Sequence, residues 1–155
     1  MKTIILYATK HGAAAEIARR IAIHIDGAVV HDLKKPAPDL AEYDCVIVGA
    51  SVYVGMFRKE AKAFLSQNAD VLCKKKLGLF ASGLSPAEEQ PVFANNVPKE
   101  VLQSAKTAVF LGGIFDSKKA GFAERLIMKV AAKQSEYTDT IDDGKIEQFV
   151  KAVRV

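Results

Sequence analysis

A chain of 155 residues, half of them hydrophobic, is enough for one buried core and too short for two ordinary domains, so residues 1–155 read as a single domain. The net charge is +4, and Ser117 to Lys133 holds five basic residues against one acidic, an excess equal to that of the whole chain. Cys45 and Cys73 form neither a disulfide framework nor a metal-ligand spacing, and no stretch resembles a secretory signal or a membrane span, which makes the cytoplasm the expected compartment.

"TIILYA" (Thr3 to Ala8) is a continuous apolar run of strand length, as expected for a strand covered on both faces. Ala14, Ile17, Ala18, Ile21, Ala22 and Ile25 then step by three and four along one face of a helix. "AVVHDL" reads as a second strand, ended by the proline-containing "KKPAPDL", and "CVIVGAS" (Cys45 to Ser51) as a third. Ala61, Phe64, Leu65, Asn68 and Leu72 predict the next helix. "KLGLFASG" and "TAVFLGG" (Thr107 to Gly113) predict strands four and five. Between them Ser85-Pro86 suits a helix start and Pro98 opens a short helix through Ser104. Ala123, Leu126, Ile127, Val130 and Ala131 give a penultimate helical face, and Ile146, Phe149, Val150 and Val153 the last.

Buried-type strands alternating with helices pair in parallel through right-handed crossovers, giving a doubly wound α/β three-layer sandwich. For five strands the common order is 2-1-3-4-5, with ligands at the carboxyl ends of strands one and three. "ATKHGA" and "GASVYVGMF" follow those ends. A loop entering a helix N-terminus offers open backbone N–H groups and the positive end of the helix dipole to a phosphate. Thr9 can add a hydroxyl, Lys10 and His11 can add positive charge, and Gly12 gives the tight cradle its backbone freedom. There is no G-x-x-x-x-G-K-[ST] and no G-x-G-x-x-G, so neither nucleoside triphosphates nor dinucleotides are favoured. The two strand ends also lack the clustered carboxylates a phospho-acceptor Mg²⁺ site needs, and no metal is expected.

"ILYATKHGAAAEIA" together with "VIVGASVYVG" resembles the flavodoxins, and more closely the branch typified by menaquinone-dependent protoporphyrinogen oxidases. In that branch a Ser/Thr, basic, polar, Gly loop precedes "EIA", "GAS" ends strand three, and "YTD" precedes the last helix. Here these are Thr9-Lys10-His11-Gly12, Gly49-Ala50-Ser51 and Tyr137-Thr138-Asp139, and "ERLIMKV" is similar to the branch's penultimate helix. The resemblance implies a flavodoxin-like fold and an FMN site. The phosphate would lie in Thr9, Lys10, His11, Gly12, Ala13 and Ala14, the ring edges against Ser51, Val52, Tyr53, Val54 and Gly55, and the far side against Ser82, Gly83, Leu84 and Ser85. Tyr53 or Phe57 could stack on the ring. Flavodoxins usually surround the phosphate with several hydroxyls, whereas the matching positions here hold Thr9, His11 and Ala14, and each unreplaced hydrogen bond to a charged group costs about 1.5–3 kcal/mol. Weaker or more pH-dependent binding is expected.

If flavin binds, the ring performs the redox chemistry and the chain needs no nucleophile or base, which agrees with scattered histidines and no Ser-His-Asp constellation. His24 and His31 read as surface or packing residues. The resemblance implies an enzyme oxidising a porphyrinogen-type donor in heme biosynthesis and passing electrons to a quinone. The basic Lys118–Lys133 segment would then face the membrane or the donor's carboxylates. A soluble flavodoxin-type electron carrier docking on protein redox partners and a flavin-free binding module on the same fold are the alternatives. No nucleic-acid partner is expected, no catalytic acid or base is assigned, and the oligomeric state stays open.

Overall fold

The computed structural model describes residues 1–84, 89–116 and 137–154. Ser85, the Ser85-Pro86 helix start, the penultimate helix and the basic Ser117–Lys133 segment lie outside them. In chain order the elements are β1 (Thr3–Ala8), α1 (Ala13–Ile23), β2 (Val29–Asp32), a 3₁₀ turn (Leu40–Glu42), β3 (Cys45–Tyr53), β4 (Met56–Phe57), α2 (Lys59–Gln67) and α3 (Ala69–Leu72). They continue with β5 (Lys76–Ser82), α4 (Glu89–Asn96), α5 (Lys99–Ser104), β6 (Thr107–Phe110), β7 (Ile114–Asp116), β8 (Tyr137–Asp139) and α6 (Asp143–Arg154).

The parallel strands run in the order β2-β1-β3-β5-β6, the expected 2-1-3-4-5 with β4 added as a short antiparallel partner of β3. Alternate strand residues feed two separate cores, as the two-residue period of a strand requires. Ile4 and Leu6 of β1, Val46 and Val48 of β3, and Leu77 and Leu79 of β5 pack against α2 to α5. Ile5, Ile47 and Phe80 pack on the other face against Ile17 and Ile21 of α1 and Phe149 and Val153 of α6. Gly49 belongs to this packing. A Cβ there would sit 1.9 Å from the Phe80 ring, which itself meets Phe149 edge to face at 6.3 Å. The glycine of "GAS" therefore admits an aromatic ring across the strand.

Register levels the carboxyl ends of the central strands. Ala8 pairs with Ala50, and Ser51 with Ser82, so the residues that follow share one rim of the sheet.

Four features depart from the sequence reading. First, β3 runs on to Tyr53 and folds back as β4 through Val54 (φ 49°) and Gly55 (φ 74°). Two successive positive φ values define the hairpin turn whose twist matches its strands. Valine in that conformation is strained by about 1–2 kcal/mol. Second, the helix expected through Leu72 breaks at Asn68, where both the backbone N–H and the Asn68 Nδ2 donate to the Phe64 carbonyl, at 3.0 and 2.9 Å. A side chain that competes for a helical carbonyl is a helix terminator. Third, strand five stops at Phe110, because Gly112 turns at φ 92° with no room for a Cβ beside the Thr140 carbonyl. Fourth, "YTD" is itself a strand, β8, antiparallel to β7 with Ile114 opposite Asp139.

Candidate functional site

At the carboxyl rim a cleft of about 110 Å³ lies among three loops and the hairpin. The loop after β1 contributes Lys10, His11 and Ala13, β3 contributes Ser51, Val52 and Tyr53, and the β5 end contributes Ser82, Gly83 and Leu84. Arg58, Gly113 and Ile114 complete the lining. Nine residues expected at a site from the sequence thus meet in one place.

The others serve it indirectly. Thr9 Oγ1 accepts the Gly12 N–H at 2.9 Å and lies 3.4 Å from Ser51 Oγ, so this hydroxyl folds the loop and ties it to β3. Gly12 is the residue before α1, with φ 101° and no side-chain cap. That leaves the first-turn N–H groups of Ala13, Ala14 and Ala15 aimed outward, because the first intrahelical bond is Glu16 N–H to Gly12 O at 2.9 Å. The Ala14 methyl is fully buried against the α1 core, so only its backbone faces the loop. Val54 and Gly55 form the hairpin tip beside the cleft. Phe57 is corrected from a stacking candidate to a core residue: it is buried and meets Phe93 edge to face at 5.9 Å. Tyr53 keeps its exposed ring at the cleft, with Lys10 Nζ 4.8 Å from its centroid, within cation–π range. His24 and His31 lie away from the cleft, His24 ending α1 and His31 Nε2 3.2 Å from the Lys35 carbonyl.

Asn96 holds the hairpin. Buried at the end of α4, it accepts the Phe57 N–H on Oδ1 at 3.1 Å, and its Nδ2 donates to the Gly55 carbonyl at 2.9 Å and the Val92 carbonyl at 2.7 Å. One amide thus fixes both sides of the turn to a helix.

The electrostatics favour an anion. Among the described residues the lining carries Lys10, His11 and Arg58 and no carboxylate. Glu16, in the first turn of α1, is occupied by Arg19 at 2.8 Å and Arg20 at 3.1 Å. The Arg19 hydrogen bond, reinforced by Arg20, holds its carboxyl below the ordinary value, so its charge is matched locally. Arg20 also reaches Asp143 at 3.3 Å, joining α1 to α6.

Open N–H groups, a glycine with positive φ, a cationic lining and a largely apolar cleft bordered by Tyr53 and Gly83 suit a ring carrying a phosphate. Arg58, Gly113 and Ile114 were missed in the sequence. The rule that ligands sit at strand ends also covers the fifth strand, whose "LGG" was the available signal for Gly113. Arg58 enters only because of the hairpin.

The flavodoxin domain model matches residues 4–142. Protoporphyrinogen IX dehydrogenase [quinone] of Escherichia coli K12 is 24% identical, covering 87% of this chain and 81% of that one. Oxidised flavodoxin 2 from Bacillus cereus superposes with a TM-score of 0.62 at 20% identity, over 99% of this chain and 98% of its own. A flavoprotein from Lactobacillus acidophilus, solved in complex with FMN, has a TM-score of 0.55 at 14% identity, covering 72% of this chain and 92% of its own. With the strand order, the rim cleft and a family match across most of its length, the chain belongs to the flavodoxin domain family.

Proposed function

We propose that the protein binds FMN in the rim cleft and is an oxidoreductase that takes electrons from a porphyrinogen-type donor and delivers them to a quinone. The observation that carries this reading is that, among the described residues, the lining holds Lys10 and Arg58 and no carboxylate. A positive wall attracts a donor bearing carboxylates, whereas a carrier that docks on basic partners would present acids. The similarity to the E. coli quinone-linked dehydrogenase supports the same choice.

Bound FMN supplies the two-electron and one-electron chemistry, and the residues of the chain bind and orient it. The N–H groups of Ala13 to Ala15 and Lys10 would hold the phosphate. Tyr53 covers one face of the cleft, and Ser82, Gly83 and Leu84 border the other side. Asn96 keeps the Tyr53 hairpin at the right height by fixing the turn below it. No helix among the described residues is long and apolar enough to cross a membrane. In this reading the quinone is met at the membrane's inner surface, with the basic Lys118–Lys133 segment attracted to anionic headgroups.

A flavodoxin-type carrier is the second reading, favoured by the end-to-end superposition on flavodoxin 2. An anaerobic assay separates the two. FMN-loaded protein given protoporphyrinogen and a menaquinone analogue should generate porphyrin fluorescence well above free FMN. A rate equal to free FMN, with normal electron exchange to a protein partner, would favour the carrier.

A further inference from the structure

Arg58 has no role in the expected flavin contacts, yet it lines the cleft. It precedes α2 directly, and its side chain is 29% exposed. Its Nε is shut off from solvent without a hydrogen-bond partner. The nearest carboxylate oxygen, Glu60 Oε2, is 3.9 Å away, beyond hydrogen-bonding reach, and is likewise buried and unbonded. A guanidinium keeps its proton at any ordinary pH, so a permanent cation stands in the wall, ion-paired with Glu60 at the limit of range but not hydrogen-bonded to it. A buried polar group left unsatisfied in a native structure calls for an explanation, of which a bound ion is one.

The hairpin register relates Arg58 to the loop before α1. Phe57 pairs with Val52, so Arg58 emerges beside Ser51, whose hydroxyl lies 3.4 Å from that of Thr9 in the loop before α1. That loop is poor in hydroxyls: Thr9 Oγ1 is engaged by the Gly12 N–H, and Ala13 and Ala14 have none to offer. Arginine is the side chain best shaped to meet phosphate oxygens with two parallel N–H donors. We propose that Arg58 is a phosphate-binding residue of this cleft, supplying from the β4–α2 junction the forked cationic donor that the hydroxyl-poor 9–14 loop does not itself contain. This rests on the FMN reading and assigns that site's selectivity for a phosphorylated over a dephosphorylated flavin to a residue outside the loop. Glu60 then acts as a competitor that keeps Arg58 in place between ligands.

The test compares FMN with riboflavin, which has the same ring and no phosphate, by quenching of flavin fluorescence. Arg58→Gln should weaken FMN at least tenfold and leave riboflavin unchanged, collapsing the preference. Arg58→Lys should fall between, keeping the charge and losing the fork. Lys59→Gln, the same loss of charge on an exposed neighbour, should keep the wild-type ratio. Glu60→Gln should keep or raise it. Urea midpoints of all four confirm folded protein. An unchanged FMN-to-riboflavin ratio in Arg58→Gln, or an equal loss of both flavins, overturns the assignment to the phosphate while leaving FMN binding intact. A Glu60→Gln ratio that drops as far as that of Arg58→Gln would make the pair structural and also overturn it. Wild-type protein that binds neither flavin overturns the FMN reading itself.

Discussion

Gly12 and Gly49, in the two segments that the sequence singled out, need glycine for different reasons. At Gly12 a Cβ would meet nothing within 4 Å, but φ is 101°, so the cost is backbone strain alone. Gly12→Ala should lose about 1–2 kcal/mol in a urea titration and weaken FMN, because relaxing φ turns the first N–H groups of α1 away. At Gly49 the backbone is ordinary and the obstruction is the Phe80 ring. Glu16 gives a pH signature. Arg19 first, then Arg20, hold its folded carboxyl below the ordinary value of about 4.3. Its contribution is therefore complete above that pH and is lost as pH falls through the lower folded value. Glu16→Gln should cost about 0.5 kcal/mol at pH 7, and the difference from wild type should vanish in acid. A difference that persists at low pH would mean the residue acts by packing. Gly12 was legible in "KHGAAAEIA", since a loop glycine before a helical stripe is a local signal. Arg58 was not, because its place depends on a turn four residues earlier.

The β3–β4 hairpin is the element on which the site turns. A continuous "GASVYVGMF" reads as one strand and a loop, and valine at the first turn position hides the usual Asn-Gly signature. What settles the turn is distant: Asn96, some forty residues later, bonds Gly55 and Phe57. Asn96→Ala leaves a buried carbonyl and N–H unpaired and should cost about 2–4 kcal/mol. FMN affinity should drop further than in Asn68→Ala, which removes a helix-end bond far from the rim. Equal losses of affinity would show that the hairpin needs no such anchor. The central strands, by contrast, were legible to within a residue or two, because strands buried on both faces must be continuously apolar. Breaks such as Asn68 were not, since a polar residue at a helical step fits a helix face as well as its end.

At the scale of the whole molecule, strand order and the level of the strand ends gather the cleft. The order followed from the alternation of apolar runs and helical stripes together with the handedness of crossovers, whereas the level of the strand ends is seen only in the register. Periodicity could not show which rim residues face inward. Ala14 and Phe57 are core residues although they sit inside the motif segments, and Gly113 arrives from the far side of the sheet. The cationic lining is likewise a product of assembly, since Lys10 and Arg58 are 48 positions apart and line one cleft only in the folded chain.

The most direct measurement is an FMN titration followed both by flavin fluorescence and by backbone amide chemical shifts. FMN binding at the rim predicts saturable quenching at one flavin per chain, with the largest shifts at residues 10–15, 51–58, 82–84 and 113–114. No saturable quenching, or shifts centred on another surface while those amides stay still, would contradict it.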